Sequence, residues 1–341
     1  MSSPIVETRE PTTEDIKRAR YFHLGKRLQA WLYSLKEEAS NLPQTIKSLP
    51  LFATARSMQN VLDASEARRV CWMLVMINCG VYLAWKIRRL QPAMSKGFTH
   101  NPLSGKSYTL LTSMFSHSSF WHLLLNSMAL LSFSATAAQH LIREQRKSPS
   151  GMQEATVSYH LWAFFICTGL FANLFSHIAQ ARIIYPRLLA RIASPSTPAK
   201  GLFRHMVNEN TQIRGSLGAS GAIYGSVVLT ALAFPEAEVS LFFPPGLTLP
   251  IQWGVGGLVL LDITGILRGW RYFDHWAHLG GAIFGMLYYN YGPLVWEKTR
   301  EAMKVTVDKA RVERQAKYIQ KLEAEYEKVI SQADRKKPRE V

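Results

Sequence analysis

The sequence predicts an all-α protein that crosses a membrane six times and carries charged helical extensions at both ends. Three observations support that fold class. The middle of the 341-residue chain is apolar and its ends are strongly charged, a contrast that a near-neutral mean hydropathy conceals. The apolar part divides into six segments in series, roughly residues 70–87, 122–138, 159–179, 217–234, 249–267 and 275–296. Each approaches the ~20 residues that a helix needs to cross a bilayer core, and six such helices are hard to fit into a soluble domain. The organisation that follows is an N-terminal extension (1–69), a six-span core (70–296) and a C-terminal charged helix (297–341).

The first 15 residues contain Glu7, Glu10, Glu14 and Asp15, which is wrong for a transit peptide, and they lack the apolar stretch of a secretory signal. Residues 17–35 are amphipathic and basic, the pattern of a helix on a membrane surface or of a solvated helix. Nothing in residues 1–69 is apolar enough to span. Cys71, Cys79 and Cys167 all fall in apolar segments; an odd count there argues against a disulfide scaffold, and no zinc-type Cys/His spacing occurs. The second span opens with His122-Leu-Leu-Leu-Asn126, and residues 108–115 are apolar enough for it to begin earlier. Pro186, Pro195, Pro198 and Gly201 mark the third connection as a loop. Beyond the last span, Val305, Val312, Ile319 and Tyr326 recur every seven residues, with Leu322 and Val329 between them. That spacing fits a short coiled coil or a lone amphipathic helix.

Net charge is +16. No aromatic-and-basic module of the nucleic-acid-binding kinds accompanies it, so the excess reads as loop and tail charge on a membrane protein. The side that holds both termini of the six-span core carries 27 of the Lys and Arg residues against 13 on the other. That makes the terminal side the cytosol-like or matrix-like face.

Spans two, four and six all begin on the opposite side. His122 opens the second, Ser220 falls about four residues inside the fourth and His278 about four residues inside the sixth. At 1.5 Å per residue Ser220 and His278 lie roughly 6 Å along their helices, and Asn126, one turn below His122 on the same face, shares that depth. Serine becomes a nucleophile when a base takes its proton, and histidine can do so near neutral pH. Attack on a peptide carbonyl makes an oxyanion, for which His122, Asn126 and the Ser220 backbone N–H are suitable donors. Gly218 and Gly221 let a substrate backbone approach, although Ala222 departs from the full G-x-S-x-G elbow. Gly221–Gly225 and Gly281–Gly285 are small-xxx-small pairs that permit spans four and six to press together. Asp262 in span five lies near the same depth. A structural hydrogen bond to a loop or neighbouring helix is the expectation for it, and orientation of His278 the alternative. His117, five residues before His122, falls on the loop before span two rather than in a ligand set.

These residues closely resemble the rhomboid family of intramembrane serine proteases. The resemblance covers all six spans and rests on His122/Asn126, on Gly218-Ala-Ser220-Gly221, and on Ala277-His278-Leu-Gly280-Gly281-Ala-Ile-Phe-Gly285. Tyr224, four residues after the serine, matches the family tyrosine that stacks on the catalytic histidine. Longer strings, such as Phe115-Ser-His-Ser-Ser-Phe-Trp-His122 and Asp274-His-Trp-Ala-His278, are most similar to the mitochondrial, presenilin-associated rhomboid-like subfamily. The resemblance implies a six-helix bundle and a serine endopeptidase with a Ser220–His278 dyad, without metal or organic cofactor. It further implies single-span membrane proteins as substrates and a multi-pass location in the mitochondrial inner membrane. That subfamily usually has an extra helix before the core; a preceding span would turn the core's termini toward the intermembrane space, against the charge count. Two rival readings follow from the same residues. One is a rhomboid-like pseudoprotease that binds membrane clients without cutting, with the tails free for a partner. The other is a transporter using Asp262, His278 and His122 as a proton path, which would require paired inverted halves that the sequence does not show.

Overall fold

The computed structural model describes residues 13–41, 43–147, 154–193, 215–240, 246–270 and 272–304. The chain forms two compact units, Met1–Asn290 and Tyr291–Val341. The second is helical over residues 291–304; the heptad positions from Val305 onward lie outside the described residues, as do Pro195, Pro198 and Gly201.

Two helices, α1 (Thr13–Glu38) and α2 (Gln44–Asp63), precede the apolar series. The first span is α3 (Glu66–Lys86). It starts four residues ahead of the apolar stretch because Ser65 caps it, its hydroxyl accepting from the Arg68 N–H at 3.2 Å. A short α4 (Gln91–Gly97) and a single turn, α5 (Thr109–Thr112), follow. The second span does not begin in residues 108–115: Ser116–Ser119 is non-helical, and α6 (Phe120–Ala129) starts afresh with Ser119 accepting from the His122 N–H at 3.1 Å. A π-turn, Leu130–Ser134, joins α6 to α7 (Ala135–Arg146). The third span, α8 (Ser158–Ala179), passes through a second π-turn, Gln180–Ile184, into α9 (Tyr185–Ala193). Pro186, a loop marker in the sequence, instead sits in a helix that runs on from α8, just past the second π-turn, which has already displaced the regular bonding there.

The fourth span is α10 (Ser220–Ala233) and the fifth α11 (Ile251–Arg268), capped by left-handed Gly269. Between them lies one antiparallel hairpin, β1 (Glu238–Ser240) against β2 (Thr248–Pro250), in the register Glu238↔Pro250, Val239↔Leu249 and Ser240↔Thr248. The sixth, α12, opens at His275 and runs to residue 290 within the first unit. Among the described residues, Glu66–Lys86, Ser158–Ala190 and Ile251–Arg268 are long and apolar enough to cross a membrane, and α10 is a shorter apolar helix.

α10 is the buried axis of the bundle. Residues from Gly221 to Ala231 are almost all covered, by α8, by α7 and the first π-turn, and by α12. A π-turn leaves a backbone carbonyl without its usual helical donor, and the Phe133 carbonyl here meets α10: Thr230 Oγ1 lies 3.1 Å from it and 2.8 Å from Ser226 O of its own helix, and beside it Ser134 Oγ donates to Ser226 Oγ at 2.9 Å. Against α12 the contact is backbone on backbone. A Cβ on Gly281 would overlap the Gly221 carbonyl, and one on Gly285 would lie 2.7 Å from Gly225 O. The small-xxx-small strips read from the sequence therefore face each other. By contrast, α11 buries only Ile251, Asp262 and Gly265, and leaves Trp253, Leu258, Leu260, Leu261 and Ile263 exposed.

The segment that leads into α10 is strapped to the loop before α6. His100 and Ser216 exchange two backbone hydrogen bonds (2.9 and 2.8 Å), and the Gly218 N–H donates to Ser113 O at 3.0 Å. The His100 side chain anchors the strap. Thr109 donates its only hydroxyl proton to Lys106 O at 2.6 Å, so it must accept from His100 Nδ1–H at 2.8 Å. His100 Nε2 is then an acceptor, and His177 Nδ1 donates to it at 3.0 Å. Burial, followed by the neighbouring His177, pushes the His100 pKa down to about 4.

Two predictions follow. Gly281→Ala should cost about 1–3 kcal/mol by overpacking, whereas Gly256→Ala, which opens onto free space, should stay within about 1 kcal/mol of native. Thermal unfolding in detergent checks both. For His100, the folded chain holds the neutral ring down to about pH 4 while the unfolded chain protonates it near pH 6.5, so the unfolded state binds more protons across that window. The unfolding temperature should fall as pH drops from about 6.5 to about 4, and His100→Gln should remove its share of that slope. An unchanged slope in the variant would count against the lowered pKa of His100.

Candidate active site

Ser220 is the first residue of α10, not the fourth residue inside it as the apolar pattern implied. The cause is Gly218, whose φ of +130° no helix accommodates and which L side chains rarely adopt. The serine therefore stands where the first N–H groups of a helix have no intrahelical partner. Gly218 also makes room for a ring: a Cβ there would sit 2.9 Å from His122 Cε1 and 3.1 Å from His122 Nε2. His122 thus lies beside the serine-bearing turn, with its Nδ1 at 3.2 Å from Ser118 Oγ.

His278 comes from the first turn of α12 and meets Ser220 directly, Nε2 to Oγ at 2.9 Å. Its other nitrogen, Nδ1, lies 3.0 Å from Asp262 Oδ1. Asp262 is fully buried on α11 and is held from three directions. His275 Nδ1 approaches the same Oδ1 at 2.6 Å, and Tyr224 donates its hydroxyl to Oδ2 at 2.5 Å. A carboxylate accepts only, so it places the proton of His278 on Nδ1 and leaves Nε2 free to take the serine proton. Tyr224 serves twice, since its ring also stacks on His278 with centroids 4.4 Å apart and planes 12° from parallel. Of the two expectations for Asp262, both have a counterpart: it bonds to the neighbouring helix through His275, and it bonds to His278 itself.

Asn126 lies one turn below His122, buried, and its amide donates to His122 O at 2.8 Å; no hydrogen bond joins it to Ser220 among the described residues. Gly221 and Gly281 serve close packing: a Cβ on Gly221 would meet Ala172 and the Ala277 carbonyl. His117 lies on the loop before α6, buried, its ring edge-on to His122 at 5.0 Å. Neither of its ring nitrogens has a hydrogen-bond partner, and burial, then the nearby His122, pushes its pKa down to about 4. Asp262, His275 and His278 have donor atoms within 4.8 Å of one another, a spacing compatible with a metal ion. Here each histidine instead faces the carboxylate as a hydrogen-bond partner.

Sequence reasoning missed His275. Its position three residues before His278 places both on one face of a helix, a signal that was there to use.

The arrangement is a hydroxyl, an imidazole and a carboxylate in line, at a helix N-terminus and beside a second imidazole. Comparison with known proteins identifies the family. The family model for the Rhomboid domain matches residues 104–292, more than half of the chain. The mouse presenilin-associated rhomboid-like protein, mitochondrial, is 27% identical over 288 residues, covering 84% of this chain and 65% of that protein. Its human counterpart is 28% identical over 245 residues, 71% of this chain and 54% of that protein. Rhomboid protein 1, mitochondrial, of Saccharomyces cerevisiae is 28% identical over 250 residues, 70% of this chain and 57% of that protein. The chain thus spans about half to two thirds of the length of these curated relatives. With the Ser220–His278 geometry set in an all-α membrane bundle, the chain belongs to the rhomboid family.

Proposed function

We propose that the chain is an intramembrane serine endopeptidase that cuts transmembrane segments of membrane proteins, in a mitochondrial membrane and specifically the inner one. The observation that carries this reading is the 2.9 Å contact between Ser220 Oγ and His278 Nε2, backed by Asp262 at 3.0 Å on the far side of the ring. The mitochondrial location is supported by the names of the relatives.

In this reading Ser220 Oγ attacks the scissile carbonyl carbon as His278 Nε2 takes the hydroxyl proton. The resulting imidazolium is stabilised by Asp262, which keeps the ring in the productive tautomer while Tyr224 holds its plane. The oxyanion faces the first N–H groups of α10 and the His122 ring. When the intermediate collapses, the C–N bond breaks and His278 returns its proton to the leaving amine. A water then attacks the Ser220 ester, again giving its proton to His278; the C–O bond to Ser220 breaks, His278 returns that proton to Oγ, and the new carboxyl terminus departs. Asn126 is the further oxyanion donor in this reading; its amide carries two protons, of which the His122 carbonyl takes one. The substrate class that suits this depth is a single transmembrane helix weakened by small residues or proline, since its carbonyl must leave its own helix to reach Ser220.

Purified protein in liposomes with a model single-span substrate should yield product, and Ser220→Ala and His278→Ala should each abolish it. His122→Ala should lower kcat about 100-fold or more, the usual loss of one oxyanion donor. Asp262→Asn should lose about 100-fold or more while keeping the fold, because an amide can leave His278 in the wrong tautomer. Correctly folded native protein that cleaves none of several substrates, and whose Ser220 no fluorophosphonate labels, would overturn the reading in favour of a client-binding pseudoprotease.

A further inference from the structure

Outside the line of Ser220, His278 and Asp262 stands a second carboxylate, Asp274, immediately ahead of α12. It joins three separate elements. Its Oδ1 accepts from the Ala277 N–H at 3.0 Å, capping the helix that carries His278. Both of its oxygens lie 2.8 Å from Ser176 Oγ on α8. Its Oδ2 also accepts from Ser216 Oγ, four residues before Ser220. Its backbone carbonyl accepts from the His278 N–H itself at 3.1 Å.

The geometry assigns Asp274 the role of a positioning residue that fixes the separation between the nucleophile's segment and the base's helix. This rests on the reading of Ser220 and His278 as nucleophile and base. Ser216 and Ser220 are linked by Leu217, Gly218 and Ala219, of which Gly218 is backbone-bonded to Ser113, so little slack lies between the clamp and the nucleophile. On the other side, Asp274 and His278 are one helical turn apart. A single rigid group therefore meets both partners within four residues of their reacting atoms. Its placement at a helix N-terminus also suits its negative charge.

A cap alone would need only one acceptor, and serine or asparagine would serve as well. A carboxylate with about four acceptor sites is what can take the Ala277 N–H and two serine hydroxyls together. The hydroxyls have no choice of direction: Ser176 Oγ accepts from Gln180 Nε2 at 3.0 Å, which leaves its proton for Asp274.

The test uses the full chain in liposomes, with labelling of Ser220 by a fluorophosphonate as a readout that needs no substrate docking. Asp274→Asn keeps a helix cap but replaces one acceptor by a donor. It should lower both kcat and the labelling rate at least tenfold, with KM within twofold and the unfolding temperature close to native. Ser216→Ala should reproduce most of that loss, and the double variant should be no slower than the slower single one. A Ser176→Ala variant should fall between native and Asp274→Asn. Labelling by Asp274→Asn at the native rate, or losses that multiply in the double variant, would overturn the clamp while leaving the nucleophile reading intact. A folded native chain that neither labels nor cleaves would overturn the nucleophile reading, and the clamp's kinetic role with it.

Discussion

Everything at the site depends on how closely two helices approach along a strip without side chains. α10 and α12 meet where Gly221 and Gly225 face Gly281 and Gly285, with carbonyl oxygens packed against α-carbons. Only at that separation can a hydroxyl on the first residue of one helix reach an imidazole on the first turn of the other at 2.9 Å. A hydrogen bond weakens steeply a few tenths of an ångström beyond its optimum, and a methyl group in the interface would demand more than that. The bundle's remaining features act to keep α10 where this contact requires it. The Ser134–Ser226 bond at the π-turn, the strap through His100 and the fit of Ala172 against Gly221 all hold the same helix.

The second constraint is electrostatic. A carboxylate with no exposed surface in a membrane bundle is costly unless donors surround it, and Asp262 has three. Those donors come from α10 and α12, and Asp262 itself from α11. Since α11 buries so little of its own apolar surface in the bundle, this polar knot is the main thing that fixes its rotation and depth. Polar contacts here do for α11 what glycine packing does for α12. The same carboxylate that would stabilise charge on His278 also registers a helix, so structure and chemistry share one residue.

The six apolar segments were legible in composition, and the shared side and similar depth of the His122–Asn126 turn, Ser220 and His278 followed from counting residues along helices that start on one side. Local geometry was less so. An apolar run through Leu217 conceals the positive φ of Gly218, which is a backbone property, and so Ser220 was placed inside a helix that it opens. The π-turns and the 238–250 hairpin have no periodic signature that an apolar window would register. The clusters around Asp262 and Asp274 were opaque for another reason. Their side-chain partners lie 13 to 98 residues away, and which pairs meet is decided by helix rotation, which hydropathy constrains only to a broad face.

One dimension described above reaches beyond the protein. At 14 residues, α10 is about 21 Å long, well short of a hydrocarbon core of about 30 Å. Enclosed by its neighbours, α10 has almost no lipid face to match, so its shortness is expressed as depth: it cannot reach the level of the headgroups at both ends. A thicker, more ordered membrane would push acyl chains over the serine-bearing turn, while a thinner one would leave it open to water, so hydrophobic mismatch sets the local water activity on which any hydrolysis there would run.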